Sequence, residues 1–154
     1  MAVFTRFYKS QFGWIKITSS DSTVLSVDFE KKVQDNSKNI PSVLDEAVKQ
    51  LDEYFKGSRK TFTVKTQATG TPFQMKIWNA MSKIPYGKTA TYQEMAAMAG
   101  NPKAARAAGG ACHKNPLGII VPCHRVIGSD GSLTGFGSGV ELKKKLLDHE
   151  KKSS

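Results

Sequence analysis

The sequence predicts an α+β protein of two parts: an N-terminal antiparallel sheet with one helix, followed by a helical C-terminal part. Segments of alternating polarity, rich in aromatic and β-branched residues, occupy the first 29 residues, as in strands. Apolar residues recur at helical spacing from residue 42, and helix-capping patterns repeat after residue 70. The stretch 66–71, Thr-Gln-Ala-Thr-Gly-Thr, is typical of a linker. We therefore expect one domain at 1–68 and another at 69–154.

Length and composition are those of a globular protein. The 154 residues are 39% hydrophobic and 23% charged, which is enough to bury a sizeable core. No apolar run approaches the roughly 18 residues that a membrane span needs, and the N-terminus lacks the apolar core of a signal peptide. Only two cysteines occur, which favours a reducing, cytoplasmic location, or the nucleoid or nucleus.

The N-terminal elements follow from period-two patterns and one helical stripe. Segments 2–8, 14–18 and 23–29 predict a meander of three antiparallel strands. Ser42, with Asp45 three positions later, resembles a capping box that opens a helix ending at Gly57. Residues 61–64 are expected to add a further strand.

Capping patterns place four helices in the C-terminal part. Their expected caps are Thr71, Thr91, Asn101 and Ser138. The first two caps are followed by Gln74 and Glu94, which completes a capping box in each case. The second helix runs to Met98, and a three-residue turn with Gly100 joins it to the third. These two helices have helix-turn-helix proportions.

The third of these helices, expected from Pro102 to about Cys112, has small residues on almost every position. Gly109 and Gly110 each cost about 1 kcal/mol against alanine in a helix interior, but they let another surface approach the backbone closely. Arg106 is the one long side chain between Lys103 and His113. This pattern suits insertion into a nucleic-acid groove, and it equally suits tight packing on a neighbouring helix with Arg106 in solvent.

Positive charge is concentrated in the second half of the chain. The formal net charge of +10 divides into +3 on residues 1–70 and +7 on residues 71–154. A concentrated basic face favours a polyanionic partner, most plausibly nucleic acid. The alternative is a basic surface that only keeps the protein soluble.

A thiol, a proton carrier and a fixed cation follow one another at Cys123, His124 and Arg125. An apolar run ending at Pro122 precedes them, which predicts that the three polar groups are partly buried. Burying them without partners would cost about 1–3 kcal/mol per group, and a nearby base makes a cysteine nucleophilic. We expect Arg125 to be structural or to contact backbone carbonyls. The simpler alternative is a buried structural cysteine.

Two other chemistries use the same residue types. Cys112-His113 and Cys123-His124 supply four potential zinc ligands, but adjacent ligands chelate poorly and the usual short cysteine spacing is missing. A Cys-His hydrolase would need an oxyanion hole and would leave the basic helix without a function.

Taken together, Tyr92, the helix Asn101–Gly110 and Pro122-Cys-His-Arg125 closely resemble the O6-alkylguanine-DNA alkyltransferase family. Asn115 and Leu-Leu-x-His-Glu at 146–150 strengthen this resemblance, which covers roughly residues 71–150. It implies a ribonuclease H-like N-terminal domain and a C-terminal domain with a helix-turn-helix or winged-helix motif. Alkyltransferase-like proteins, which bind damaged bases without transfer, lack the acceptor cysteine that is present here as Cys123.

The resemblance implies DNA repair by direct, irreversible, single-turnover transfer from O6-alkylguanine, and from O4-alkylthymine, after base flipping through the minor groove. Cys123 is then the alkyl acceptor, and His124 with Glu150 deprotonates it. Asn115 braces the active-site turn. Because neighbouring side chains diverge, we expect a bridging water between Cys123 and His124 rather than direct contact.

The resemblance also implies residues that contact DNA and the damaged base. Tyr92 matches the tyrosine that helps rotate the nucleotide, and Arg106 matches the arginine that fills the space left by the flipped guanine. Further expected DNA contacts are Lys103, Ala105, Gly109 and Ser129. The expected pocket lining is Cys112, Val126, Phe136 and Gly137.

The implied partner is double-stranded DNA containing O6-alkylguanine, with no cofactor, no metal and no membrane. Some family members hold zinc in the N-terminal domain, but residues 1–111 contain neither Cys nor His. Many members have Tyr where this chain has Phe136, which keeps the ring and loses a hydroxyl. We expect a monomer, with cooperative binding along DNA left open.

Overall fold

The structure is a computed structural model, and it describes residues 2–133 and 139–154. The chain divides into two compact units, Met1–Ala68 and Thr69–Ser154. The first contains a small antiparallel sheet with a helix and the second is mainly helical, which confirms the α+β prediction. Within the described ranges, no helix combines the length and apolar character that crossing a membrane requires.

A three-stranded antiparallel meander forms the centre of the N-terminal unit. Its strands are β1 (Phe4–Ser10), β2 (Gly13–Ser19) and β3 (Val24–Phe29), hydrogen-bonded in that order. Tyr8 pairs with Ile15 across the first two strands. The apolar side chains that alternate along the strands provide buried positions, and the predicted meander is confirmed. The buried strand residues include Phe7, Ile15, Ile17, Val24 and Val27.

Helix α1 (Ser42–Phe55) adds the other apolar face of this unit. It buries Leu44, Ala47, Leu51 and Tyr54 completely. The predicted capping box at Ser42 is wrong, because Pro41 is the N-cap residue and Ser42 already belongs to the helix. The helix ends as expected at Gly57, whose φ of +82° lies in the left-handed region that favours glycine.

The strand predicted at 61–64 does not form. Thr66 makes one isolated bridge to Val24, while the backbone N–H groups of Thr63 and Val64 donate to the side-chain oxygen of Gln50 at 3.0 and 3.1 Å. A side chain on α1 therefore holds this segment, in place of the neighbouring strand that a ladder would require.

The first two helices of the C-terminal unit begin at the predicted caps, and the second also ends at Met98 as predicted. Helix α2 (Pro72–Met81) carries a complete capping box at Thr71, and helix α3 (Tyr92–Met98) carries one at Thr91. In α2 the indole Nε1 of Trp78 donates a 2.8 Å hydrogen bond to the carbonyl of Ala111. This bond fixes α2 against helix α4 (Ala105–His113), which contains Ala111.

Helix α4 (Ala105–His113) begins three residues later than predicted. Asn101 does not cap it. Instead the Asn101 carbonyl accepts from the N–H of Ala104 at 3.0 Å, which closes a turn before the helix starts. Gly100, with φ +88°, turns the chain after α3. The connection between α3 and α4 is consequently longer than the three residues expected.

The rest of the C-terminal unit frames one short turn. Cys123–Arg125 form a 3₁₀ helix, and β5 (Val126–Ile127) follows it and pairs in parallel with β4 (Ala90–Thr91). This two-stranded pairing was not predicted. Helix α5 (Val140–Ser153) closes the unit. Its expected cap, Ser138, lies outside the described residues, and Gly139 is the N-cap residue.

Candidate active site

The candidate nucleophile lies at the start of the 3₁₀ helix. The N–H of Cys123 donates to the carbonyl of Val121 at 2.8 Å, and the N–H of Arg125 donates to that of Pro122 at 3.0 Å. Cys123 is half-buried, whereas His124 and Arg125 are buried. The short turn thus exposes part of the thiol and places the two basic side chains inside the protein.

Asn115 holds the segment that leads to Cys123. Its Nδ2 donates to the carbonyl of Val121 at 2.8 Å, and its Oδ1 accepts from the N–H of Leu117 at 3.0 Å. Ile119, within the loop so closed, has φ +69°, which is unusual for a β-branched residue. Packing around Ile119, which is 3% exposed, retains this conformation.

Glu150 on α5 is hydrogen-bonded to both basic side chains that follow Cys123. Its carboxylate is fully buried and lies 2.5 Å from His124, measured from Oε2 to Nε2. Arg125 donates from Nε to Oε1 at 2.7 Å and from Nη2 to Oε2 at 3.0 Å. The N–H of Gly87 donates to Oε1 at 3.2 Å. Four hydrogen bonds therefore orient one carboxylate.

These contacts define the protonation state of the cluster. Burial alone would raise the pKa of Glu150, but hydrogen bonds from His124 and Arg125 outweigh it and hold that pKa well below its usual range. Burial lowers the pKa of His124, despite the adjacent carboxylate. The resting pair is therefore an ionised glutamate and a neutral histidine. An ionised carboxylate only accepts hydrogen bonds, so Nε2 of His124 carries the proton.

The second imidazole nitrogen, Nδ1 of His124, is buried and has no hydrogen-bond partner within the described part of the chain. Because Nε2 holds the proton, Nδ1 carries the lone pair. A buried imidazole with a free lone pair, held by a carboxylate and adjacent in sequence to a thiol, is the arrangement of a general base beside a nucleophile.

The hydrogen bonds of Arg125 go to Glu150 and to a backbone carbonyl, so we assign it no role in activating the thiol. Its Nη1 donates to the carbonyl of Ile84 at 2.7 Å, which agrees with the expected backbone contact. Its guanidinium lies 5.6 Å from the ring centre of Tyr86. Arg125 thus connects the turn after α2 with Glu150 on α5.

A second polar group, which the sequence analysis missed, lies beside Tyr92. Lys143 on α5 is buried, and its Nζ donates to the hydroxyl of Tyr92 at 3.4 Å. Burial raises the pKa of Tyr92 to about 12, while burial lowers the pKa of Lys143, opposed by the anionic forms of Cys123 and Cys112. Lys143 and Glu150, seven residues apart, share the buried face of α5. That spacing is the signal that was available in the sequence.

Cys112 on α4 is buried, and burial raises its pKa to about 12. A thiol with that pKa stays protonated near neutral pH, as in an inert structural cysteine. Val126, which was expected to line the pocket, lies in β5 and is fully buried. Phe136 and Gly137 lie outside the described residues.

The expected DNA contacts differ in how exposed they are. Arg106 and Lys103 are exposed, as is Ser129 after β5, whereas Ala105 and Gly109 are half-buried. Tyr92 lies close to α4, because a Cβ at Gly109 would be 3.8 Å from its ring. The structure therefore brings Tyr92 near both α4 and Lys143.

No group of three or more His, Cys, Asp or Glu side chains that could hold a metal ion occurs among residues 2–133 and 139–154. The His124–Glu150 pair is hydrogen-bonded to protein groups. This geometry offers acid–base chemistry at a thiol.

The fold and the site define a class: a two-unit α+β protein whose C-terminal unit combines a paired α3–α4 motif with a cysteine next to a buried histidine–glutamate pair. Residues 72–152 match the family model of the 6-O-methylguanine DNA methyltransferase DNA-binding domain, and residues 3–68 match that of the ribonuclease-like domain. The chain belongs to the 6-O-methylguanine DNA methyltransferase family, which confirms the resemblance.

Individual relatives match along nearly the whole chain. The methylated-DNA–protein-cysteine methyltransferase of Methanosarcina acetivorans is 45% identical over 93% of this chain and 95% of its own. The constitutive methylated-DNA–protein-cysteine methyltransferase of Bacillus subtilis is also 45% identical, over 96% of this chain and 82% of its own. The crystal structure of Mycobacterium tuberculosis O6-methylguanine methyltransferase has a TM-score of 0.89 at 39% identity, covering 99% and 95%. The crystal structure of Mycobacterium tuberculosis OGT in complex with DNA has a TM-score of 0.88 at 39% identity. The match covers 97% of this chain and 94% of that one.

Proposed function

We propose that this protein repairs DNA by moving the alkyl group of O6-alkylguanine to Cys123, and that O4-alkylthymine is a further substrate. The observation that carries the proposal is the buried pair of His124 and Glu150, with Nδ1 of His124 open, directly after the half-buried Cys123. Membership of the family and a DNA complex of a 39%-identical protein support the same reading.

The damaged base must leave the duplex before it can react. Its O6 atom lies at a base edge inside the stack, so the enzyme must offset an unstacking energy of a few kcal/mol. Arg106, exposed on α4 among small residues, is suited to enter the minor groove and fill the space of the flipped base. Among the described residues Arg106 makes no ion pair that would hold it back.

Proton transfer activates the thiol. Nδ1 of His124 accepts the proton of Cys123, directly or through one water molecule, and the imidazole becomes positively charged. Glu150 stabilises that charge across the 2.5 Å contact and holds the tautomer. A positioned general base contributes typically 10²–10⁴-fold to a rate.

The thiolate of Cys123 then attacks the alkyl carbon. A sulfur–carbon bond forms, the bond between that carbon and O6 breaks, and the electron pair goes to the guanine. The hydroxyl of Tyr92, next to the Lys143 amine, donates a hydrogen bond to the developing negative charge. The guanine takes up one proton from water, and His124 returns the proton of Cys123 to water, which completes the balance.

The product is a thioether, which water does not cleave under ordinary conditions. Each molecule therefore acts once, and the protein is a stoichiometric acceptor. We propose that the C-terminal unit performs the transfer as a monomer on double-stranded DNA, in the cytoplasm, and that the N-terminal unit supports it.

Replacement of the acceptor tests the chemistry. Cys123→Ser should abolish transfer from O6-methylguanine in a DNA duplex while duplex binding is kept, because a hydroxyl is a far weaker nucleophile. Mass spectrometry of the wild-type protein should find one added methyl group, on the peptide with Cys123 and not on that with Cys112. Several transfers per protein molecule, or methyl transfer by Cys123→Ser, would contradict the proposal.

The proposed partner predicts a salt-dependent affinity. Contacts to phosphates release counterions, so duplex affinity should fall steadily between about 50 and 200 mM salt. Arg106→Ala should weaken binding, whereas Lys49→Ala, an exposed change on α1, should leave it unaltered. Fluorescence anisotropy with a labelled duplex measures both, and salt-independent binding would exclude the basic surface of the C-terminal unit as the DNA contact.

A further inference from the structure

Arg125 shares the carboxylate of Glu150 with His124. The two residues contact the same oxygen, Oε2, from Nη2 of Arg125 at 3.0 Å and from Nε2 of His124 at 2.5 Å. Arg125 also occupies Oε1 through its Nε at 2.7 Å. Glu150 therefore serves a permanent cation and a titratable base at once, and all three side chains are buried.

The arginine is itself held from two further directions. Its Nη1 donates to the carbonyl of Ile84 at 2.7 Å, and its guanidinium faces the ring of Tyr86 at 5.6 Å. The same turn provides the N–H of Gly87 for Oε1 of Glu150. Planar guanidinium groups hold a carboxylate at two atoms, which a lysine cannot reproduce. Because other contacts hold the guanidinium of Arg125 in place, it can hold the carboxylate of Glu150 in one orientation.

Charge balance gives Arg125 a second effect. With His124 neutral, the negative Glu150 and positive Arg125 cancel. Protonation of His124 leaves one uncompensated positive charge in a buried cluster, where charges interact more strongly than in water. Without the arginine, the same protonation would instead create a neutral pair with Glu150.

We propose that Arg125 is a positioning residue of the transfer site: it orients Glu150 for His124, and its charge keeps His124 neutral until the thiol proton arrives. This inference rests on the proposed function. Together with burial, the charge of Arg125 explains how a histidine 2.5 Å from an ionised carboxylate can still be a base at rest.

Other groups also face His124. Lys143, on α5, opposes its protonation as Arg125 does, and Glu150 favours it. Tyr86 lies on the far side of Arg125, and Cys123 precedes His124 in the 3₁₀ helix. Arg125 is hydrogen-bonded to the carboxylate that contacts the imidazole, so its removal changes both the charge and the geometry.

Two substitutions separate the two effects. Arg125→Gln removes the charge and the two-atom contact, whereas Arg125→Lys keeps the charge and loses the contact. The titration midpoint of His124, followed by NMR of its labelled ring, should lie below 6.5 in the wild type. It should rise by roughly one pH unit or more in Arg125→Gln and by clearly less in Arg125→Lys. Lys144→Gln, an equal loss of charge on the exposed side of α5, should not move it.

Single-turnover transfer at saturating DNA gives the second measurement. Neutral His124 is needed, so the rate falls as pH drops through its midpoint. This acid limb should move to higher pH in Arg125→Gln by the same amount as the NMR midpoint. At the alkaline plateau both arginine variants should be slower by roughly tenfold or more, because the carboxylate that orients His124 is no longer held at both oxygens.

Several outcomes would overturn the inference. A wild-type His124 midpoint above 6.5 would do so without any variant, as would equal shifts in the two arginine variants or an unchanged plateau rate in Arg125→Lys. If Arg125→Gln does not fold, the titration midpoint of His124 in the wild type and the plateau rate of Arg125→Lys still test the inference. The NMR measurement needs no DNA, so a wild-type protein that transfers nothing refutes the proposed function while leaving the role of Arg125 open to the titration.

Discussion

Each unit buries a polar cluster among its described residues, and the hydrogen bonds of the two clusters differ in completeness. In the N-terminal unit Gln50 is fully buried and all its hydrogen-bonding sites are filled: Nε2 donates to Glu46 and Thr63, and Oε1 accepts from the N–H groups of Thr63 and Val64. In the C-terminal unit Glu150 is equally satisfied, but Nδ1 of His124 has no partner within the described chain.

The difference separates structure from chemistry. A buried amide with every hydrogen bond made stabilises one backbone arrangement, here the segment after α1, and has nothing left to offer a ligand. A buried imidazole with one open nitrogen keeps a lone pair for a proton. Buried polar groups are nearly always paired, so an exception beside a thiol indicates function.

The largest expected effect is the loss of transfer rate when Nδ1 of His124 is removed. His124→Gln removes the base but keeps a polar side chain, so the single-turnover transfer rate should fall by about 10²–10⁴-fold. Gln50→Leu should leave the rate per folded molecule unchanged. Rates measured at equal concentrations of active protein test this, and a loss of similar size in both variants would show that the two clusters do not differ in kind.

The filled cluster should matter more for stability. Gln50→Leu leaves the N–H groups of Thr63 and Val64 unsatisfied, which costs about 1–3 kcal/mol of unfolding free energy. Gln67→Leu, an exchange of the same residue types at an exposed position, should change it by less than about 0.5 kcal/mol. Urea unfolding compares the two variants. Equal stabilities would mean that the Gln50 hydrogen bonds do not hold the segment.

The smallest expected effect is the loss of folding stability as the pH falls. Folding lowers the pKa of His124 below 6.5 and that of Glu150 below 4.5, so the unfolded chain takes up these protons first as pH falls. Both contributions to stability are present at neutral pH. The first should be lost progressively below about pH 6.5 and the second below about pH 4.5.

Thermal unfolding from pH 7.5 to pH 5 checks this dependence. His124→Gln should flatten it, because the variant lacks the imidazole whose pKa folding lowers. The amide of Gln50 does not titrate, so its cluster adds no slope. A wild-type midpoint temperature that rises on acidification would reverse the assigned charge states.

The sequence predicted those parts of the fold that depend on neighbouring residues. The capping boxes at Thr71 and Thr91 need only a cap and a glutamine or glutamate three positions later, and both helices begin where expected. The predicted start of α4 was wrong because Asn101 uses its backbone carbonyl in a turn. The strand expected at 61–64 was wrong because its partner is the side chain of Gln50, which no local pattern reveals.

The site shows the same division. Cys123 and His124 are adjacent, so the sequence presents them together. Glu150 lies 26 residues beyond His124, and only the family resemblance connected the two. The contact of Arg125 with Glu150 and the burial of Lys143 depend on how α5 packs. In the sequence they are indicated by the helical spacing of residues 143, 146 and 150, which places these residues on one face of α5.

The hydrogen bond from Trp78 to the carbonyl of Ala111 has a spectroscopic consequence. The chain has two tryptophans, Trp14 in β2 and Trp78 in α2, so each unit carries its own fluorophore. The bonded indole of Trp78 should emit differently from one released to water, and Ala111 adjoins Cys112 on α4. With Trp14→Phe, the remaining emission would report on the helix that faces Tyr92, so DNA binding and alkylation could be followed without a label.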